Sequence, residues 1–283
     1  MPSQSERAAT FRALHQGPGA FVLPNPWDLG SARILAGLGF GALATTSAGF
    51  AFTLGRRDGA VTRDEALAHA RAVVDATDLP VSADLENGFG DDPATVAETV
   101  RLAAAAGLVG ASIEDASGDP RRPVYDRSLA VERVAAAVGA ARSLPFPFTL
   151  TARAENHIRG NPDLEDTIAR LQAFERAGAD VLYAPGLPDL AAIRTVCAAV
   201  SRPVNVLAAS GGQRLSVPEL AAAGVRRVSL GGLLARAALG ALLRAAREVR
   251  ETGGFGFAAD AAPPAEIGAF MAGGAGGPGG RVG

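Results

Sequence analysis

The sequence predicts a (β/α)8 barrel of TIM type with extra helices at its C-terminal end. Three observations lead there. Eight short β-branched or apolar runs recur between turn residues, and a stretch of helical period rich in Ala, Leu and Arg follows most of them. The eight units fill ~230 residues, the size of such a barrel. Strand followed by helix, repeated, calls for an all-parallel sheet.

The expected strands are Phe21–Asn25, Ala42–Thr46, Val81–Asp84, Ala111–Glu114, Phe148–Ala152, Val181–Tyr183, Val204–Ala208 and Arg227–Leu230. Helical periodicity covers Ser31–Leu38, Arg63–Ala76, Pro93–Ala106, Leu129–Ser143, Leu164–Ala177, Leu190–Ala199 and Val217–Ala223. In Arg63–Ala76, Ala66, Ala70, Val73 and Val74 form one face, and Asp64, Glu65, Arg71 and Asp75 lie elsewhere. Ala-Gly pairs at 106–107, 177–178 and 223–224 put a Gly where a helix ends just before a strand. The rival is a doubly wound open sheet. It is disfavoured because no GxGxxG follows the first strand, where Pro24-Asn25-Pro26-Trp27 makes a stiff turn instead.

Beyond the eighth strand, a helix is expected at Leu233–Arg250 and another at Ala265–Met271. The organisation is thus a barrel domain over 1–250, a helical arm over 251–271 and a disordered Gly-rich tail over 272–283. Phe255, Phe257, Ile267, Phe270 and Met271 give the arm apolar surface suited to a partner subunit.

Composition excludes several chemistries. All 27 basic residues are Arg, and Cys197 is the single cysteine. Without Lys there is no Schiff base and no phosphate-loop lysine. With one Cys there is no internal disulfide, CxxC pair or thiolate zinc cage. Carbonyl chemistry here must use a metal, Arg or backbone donors. A net charge of −2 gives no attraction to nucleic acid. Met1–Ala20 has no apolar h-region, and the longest apolar run, Leu102–Ile113, is too short to span a bilayer. The expected location is the cytoplasm, with no nucleic-acid or membrane partner.

In such a barrel the active site lies at the C-terminal strand ends. Asn25, Trp27 and Asp28 follow the first strand; Thr46, Ser47 and Gly49 follow the second. Asp84-Leu85-Glu86-Asn87-Gly88 ends the third, Glu114-Asp115 the fourth, and Arg153-Ala154-Glu155-Asn156-His157 the fifth, while Asn205 lies within the seventh. On an extended strand the i, i+2 pair Asp84 and Glu86 point the same way and can share a cation. Glu114 completes an all-oxygen set suited to Mg²⁺, with Mn²⁺ as the alternative. Any one acid alone reads as a helix cap; the three together read as a metal site.

Four segments then match a known family in order and spacing: TTSAGFAFTLGRRDG (45–59), SADLENGFG (82–90), GASIEDA (110–116) and TARAENHIRG (151–160). Over roughly residues 10–250 the chain resembles the isocitrate lyase/phosphoenolpyruvate mutase superfamily, whose barrels bind Mg²⁺ and a 2-oxo acid or its enolate. The resemblance implies that Asp84 ligates the metal directly, with Glu86 and Glu114 acting partly through bound water. It further implies that Asp58 lies near the metal and that Arg153 contacts substrate oxygens. Thr46, Ser47 and Ala48 would cradle the substrate carboxylate, and Trp27 and Asp28 match the family's first-strand element. Arg153, Asp58 and Glu155 are the candidate catalytic residues; Trp27, Asp28, Thr46, Ser47, Ala48 and Asn205 are the candidate substrate contacts. The resemblance also implies a homo-oligomer, dimer or tetramer, with a C-terminal helix exchanged between subunits.

The departures from the family narrow the reaction. Its lyase branch carries K-x-C-G-H on a loop after the fourth strand, with Cys as general acid. The corresponding stretch here, 117–125, has no Cys, Lys or His, and it also lacks the Lys and Asn of the phosphonopyruvate branch. It is either a lid, with Arg121 and Arg122 attracting a second carboxylate, or a solvated loop. His157 is a proton-transfer candidate or a surface residue; His15 and His69 read as helix-surface residues, Cys197 as core, and Gly231-Gly232 as a strand–helix turn. The expected activity is Mg²⁺-dependent C–C cleavage or decarboxylation of a small 2-oxo or 2-hydroxy di-acid through a stabilised enolate. The alternatives are P–C chemistry on phosphonopyruvate and non-catalytic binding of a 2-oxo acid.

Overall fold

The strands are β1 (Phe21–Leu23), β2 (Leu43–Ala44), β3 (Val81–Asp84), β4 (Gly110–Glu114), β5 (Thr149–Arg153), β6 (Val181–Tyr183), β7 (Val204–Leu207) and β8 (Arg227–Ser229). All are parallel and pair in the order β1-β8-β7-β6-β5-β4-β3-β2. Just beyond β1, the Ala44 amide donates to the Pro24 carbonyl at 3.0 Å and brings the two ends of the sheet together. The fold is therefore the expected (β/α)8 barrel. It comes from a computed structural model that describes residues 2–209, 212 and 214–272.

Around the barrel run α1 (Gln4–Gln16), α2 (Leu29–Gly37), α3 (Ser47–Thr53), α4 (Arg63–Asp75), α5 (Pro93–Ala105), α6 (Arg127–Arg142), α7 (Leu164–Arg176), α8 (Leu190–Ala199) and α9 (Val217–Ala222). Sequence periodicity located most of them to within two residues. It missed α1, where Ser3 and Glu6 form a capping box and Ala8 and Phe11 are fully buried. It also missed the short α3, which Thr46 starts by accepting the Gly49 amide. Gly49 permits that start, since a Cβ there would stand 2.6 Å from Thr46 Cγ2 and 2.9 Å from Trp27 Cβ.

The barrel interior is more polar than the branched aliphatic filling usual in this fold. Arg227, on β8, is buried and donates to Asn205 Oδ1 (2.9 Å) and Thr151 Oγ1 (3.0 Å). Its Nη1 also meets His15 Nε2 at 3.3 Å. His15 is thus a core residue and not a surface one: it is 6% exposed and wedged edge-on between Phe11 and Phe21. Burial, then the Arg227 charge, lowers its pKa to about 3, so it is neutral and accepts from Arg227. His69 is likewise no surface residue; it stacks on Phe50 (3.9 Å, 12°) and its Nε2 meets the Trp27 carbonyl at 3.1 Å.

α10 (Leu233–Thr252) follows β8, and the arm beyond it carries α11 (Pro264–Met271). Phe270 at its tip is buried against α2, where a Cβ on Gly37 would meet the ring at 2.6 Å. Phe255, Phe257 and Ile267 stay exposed, as do Leu239, Leu242, Leu243 and Val249 of α10. The expected disordered tail lies, from residue 273 on, outside the described residues. Among the described residues no helix is long and apolar enough to cross a membrane.

Candidate active site

A cavity of about 500 Å³ opens at the C-terminal ends of the strands, with Ser47, Asp58, Glu86, Glu114, Arg153 and Glu155 in its lining. Arg153, the last residue of β5, organises it. Its guanidinium lies 2.9 Å from Asp84 Oδ1, 3.2 Å from Glu114 Oε2 and 2.8 Å from Glu155 Oε1, over the ring of Tyr183. Burial works against its charge, but the three carboxylates outweigh it and raise its pKa. Glu114 is driven the other way: burial, only partly offset by Arg153, pushes its carboxyl well above the usual range.

Asp84 ends β3 with both oxygens engaged. Oδ2 accepts from the Ser47 hydroxyl (3.1 Å), and Oδ1 accepts from Arg153 and from the Glu86 amide (3.3 Å). Asp84 and Glu86 were expected on one face of an extended strand, and that geometry is corrected. β3 stops at Asp84, and Glu86 takes a left-handed backbone (φ 49°) within a turn that includes Gly88 (φ 79°) and Phe89 (φ 63°). Such a conformation in a non-glycine residue is costly and persists only where its surroundings fix it. Here the Glu86 carbonyl accepts the Glu114 amide at 2.9 Å. Burial, then the Asp84 and Asp58 charges, lift the Glu86 carboxyl to about 7.

The turn is held from behind by residues the sequence did not single out. Arg133 of α6 is 1% exposed and donates to the carbonyls of Asn87, Gly90 and Asp91. Its guanidinium lies 4.2 Å over the Tyr125 ring, and the Tyr125 hydroxyl donates to Asp91 Oδ1 at 2.6 Å. Asp115 and Arg170 form a second buried brace: Asp115 accepts the Glu155 amide (2.8 Å) and Arg170 Nη1 (3.0 Å). The signal for both arginines was present in the sequence. Arg133 stands among Ala130, Val134 and Ala137 on the buried face of its helix, where a charge needs a partner.

The remaining expected residues fall into three groups. Ser47 and Asp58 line the cavity, whereas Thr46 is engaged as the cap of α3, with Ala48 one residue inside it. Asn205 sits deeper in the barrel, bound to Arg227 and to Ser229 Oγ (3.0 Å). Trp27 and Asp28 are absent from the cavity lining; Asp28 caps α2 by accepting the Ser31 amide (2.7 Å). The Gly231 turn is a plain strand–helix turn, its amide and that of Leu230 held by Asn25 Oδ1 at 2.8 Å.

After β4 the chain makes a tight hairpin closed by an Ala116–Val124 bridge and by the Ser117 hydroxyl, which donates to the Arg122 carbonyl. Arg121 pairs with Asp119 (3.3 Å) and Arg122 with Asp126 (2.9 Å), both largely exposed and outside the cavity lining. Of the two readings of this stretch, these exposed pairs fit the solvated loop. His157 is half-buried and also outside the lining, its pKa lowered by burial.

The donor chemistry fits a hard divalent cation. Among the described residues, Asp58, Asp84, Glu86, Glu114 and Glu155 stand against only Arg153 and Arg159 around the mouth, and buried Glu155 Oε2 accepts no hydrogen bond. Among the described residues no three of these side chains close tightly on one point. The Arg153 guanidinium stands between Asp84 and Glu114.

Comparison with known proteins places this geometry in context. Residues 11–250 match the family described as phosphoenolpyruvate phosphomutase. A lyase/mutase crystal structure from Burkholderia cenocepacia J2315 is 61% identical, with a TM-score of 0.94 over 95% of this chain and 97% of that one. An oxaloacetate decarboxylase of Bradyrhizobium diazoefficiens is 30% identical over 234 residues, 80% of this chain and 78% of that one. The structure of an oxaloacetate acetylhydrolase with its product oxalate is 27% identical, with a TM-score of 0.85 over 96% of this chain and 95% of that one.

Proposed function

Because the chain belongs to the phosphoenolpyruvate phosphomutase family, within the isocitrate lyase/phosphoenolpyruvate mutase superfamily, we propose that it cleaves the carbon–carbon bond joining the α-carbon of a small 2-oxo di-acid to its far carboxylate. Decarboxylation of an oxaloacetate-type substrate is the reaction favoured. The observation that carries this reading is Arg153, a guanidinium fixed by three carboxylates at the cavity mouth of a chain that has no Lys.

In that reaction the C3–C4 bond breaks, C4 leaves as carbon dioxide, and the electron pair becomes an enolate with its charge on the C2 oxygen. Arg153 keeps its charge and is preorganised to donate hydrogen bonds to that oxygen as the charge develops. The start of α3 at Ser47 and Ala48 suits the C1 carboxylate, because a helix N-terminus favours negative charge. Mg²⁺ held by Asp84, with Glu86 and Glu114, would supply Lewis-acid polarisation of the same oxygens. Asp58 contributes further negative charge at the rim, and Glu155 anchors Arg153 from below. Carbon dioxide departs without needing a proton, which suits a hairpin after β4 that lacks Cys, Lys and His. Water in the open cavity returns a proton to C3. The apolar residues left exposed on α10, Leu242 and Leu243 foremost, support a homo-oligomer in which a second copy covers them.

The test is turnover of oxaloacetate, isocitrate, a methylated malate and phosphonopyruvate by the purified protein in Mg²⁺. Pyruvate and carbon dioxide from oxaloacetate, lost in EDTA, is the expected result. The proposal fails if none of the carbon acids turns over and EDTA changes nothing. Phosphate released from phosphonopyruvate, abolished by Asp84→Ala, would move the reaction to the P–C bond. Mg²⁺-dependent binding without turnover would make the chain a binder.

A further inference from the structure

We propose that Arg159 recognises the second carboxylate of the substrate and thereby selects di-acids over mono-acids. This rests on the reading above that the substrate is a 2-oxo or 2-hydroxy di-acid. If Arg153 and the start of α3 hold the C1–C2 end, the far carboxylate needs its own cation at the rim.

Among the described residues, Arg153 and Arg159 are the only cations lining the mouth cavity. Arg153 is fixed in place at the C1–C2 end, its side chain 13% exposed and held by three carboxylates at 2.8 to 3.2 Å. Arg159 is not. Its side chain is 43% exposed, with Nη2 3.3 Å from Glu114 Oε1 and Nε 3.6 Å from Glu155 Oε2. Both contacts lie at or beyond the long end of hydrogen bonding and are partly solvated, so they hold Arg159 weakly.

Exchanging partners leaves both glutamates still paired with Arg153. When Arg159 turns to a ligand, Glu114 keeps Arg153 Nη2 at 3.2 Å and Glu155 keeps it at 2.8 Å. A ligand carboxylate offers the planar guanidinium two parallel hydrogen bonds, which neither glutamate gives it now. Arg159 also ends the short 3-10 turn 156–159, and Gly160 (φ 87°) closes that turn at the mouth. Arg121 and Arg122, on the hairpin after β4, do not line this cavity.

The experiment uses ligands that differ by one carboxylate and do not decarboxylate: malate and lactate, each enantiomer, titrated calorimetrically in Mg²⁺. The wild-type protein should bind malate more tightly than lactate. Arg159→Gln should reduce that preference roughly tenfold or more while leaving lactate affinity unchanged, and Arg159→Lys should keep part of it. Arg121→Gln should leave the ratio as it is. The inference is overturned if wild type shows no preference for malate, if the ratio survives in Arg159→Gln, or if that variant loses lactate and malate equally. Turnover is not the readout. A ratio that collapses in a protein that decarboxylates no di-acid would sink the proposed reaction and leave Arg159's role standing.

Discussion

Arg153 Nη1 lies 2.9 Å from Asp84 Oδ1, so β5 and β3 are tied together at the mouth across the intervening β4. Glu114, at the end of β4, completes the bridge through Arg153 Nη2. Three consecutive strand ends thus share one guanidinium, and replacing it should be felt in both chemistry and stability. Arg153→Lys keeps the charge but loses the planar fork. It should lower kcat by about 100- to 1000-fold, the scale of removing an oxyanion donor. Leaving the buried carboxylates poorly paired should also cost about 3 kcal/mol in urea unfolding. Unchanged kcat would contradict the role given to Arg153.

The second prediction concerns Arg133, which holds the left-handed turn of Glu86 without touching the cavity. Arg133→Met fills similar volume but leaves the carbonyls of Asn87, Gly90 and Asp91 without their donor. The expected loss is about 3 kcal/mol by chemical denaturation, with faster amide exchange in residues 86–91. Exchange that accelerates elsewhere but not in that turn would count against the brace.

A third follows from His15. Its folded-state pKa of about 3 lies below the unfolded value, so the unfolded chain takes up the proton first. The stability of the neutral, buried form is intact above about pH 6.5 and drains away as pH falls toward 3, at ~1.4 kcal/mol per unit. Between pH 7.5 and 5 the wild type should lose ~2 kcal/mol more than His15→Gln does. Parallel pH profiles for the two proteins would show that His15 is not buried as described.

The fourth prediction uses the carboxylates around the mouth. Glu86 titrates near 7, so a cation must compete with its proton there. Mg²⁺ should raise the thermal midpoint of the apo protein by a few degrees at pH 8 and less at pH 6. Asp84→Asn should abolish the rise. An equal rise with NaCl at matched ionic strength would mean simple screening.

The barrel and the strand-end residues were legible because hydrophobic period and turn chemistry are local signals, as in Arg63–Ala76 and the Ala-Gly pairs before strands. The brace residues were partly legible, since an arginine on an apolar helix face, such as Arg133, asks for a partner. What stayed hidden depends on contacts distant in sequence. His15 reads as a surface residue until Phe11, Phe21 and the sequence-distant Arg227 surround it. Glu86 follows the strand in sequence, but its direction is set by the turn through Gly88 and Phe89. Arg159 has no helical or strand pattern to place it, and its importance emerges only when Glu114 arrives from β4.

The most direct test of the proposed reaction follows oxaloacetate labelled with carbon-13 at C4 by NMR, with protein and Mg²⁺. The account predicts saturable conversion to labelled carbon dioxide and unlabelled pyruvate, well above the rate with Mg²⁺ alone and lost in both Asp84→Asn and Arg153→Gln. Conversion no faster than with Mg²⁺ alone, or equally fast in the two variants, would contradict it.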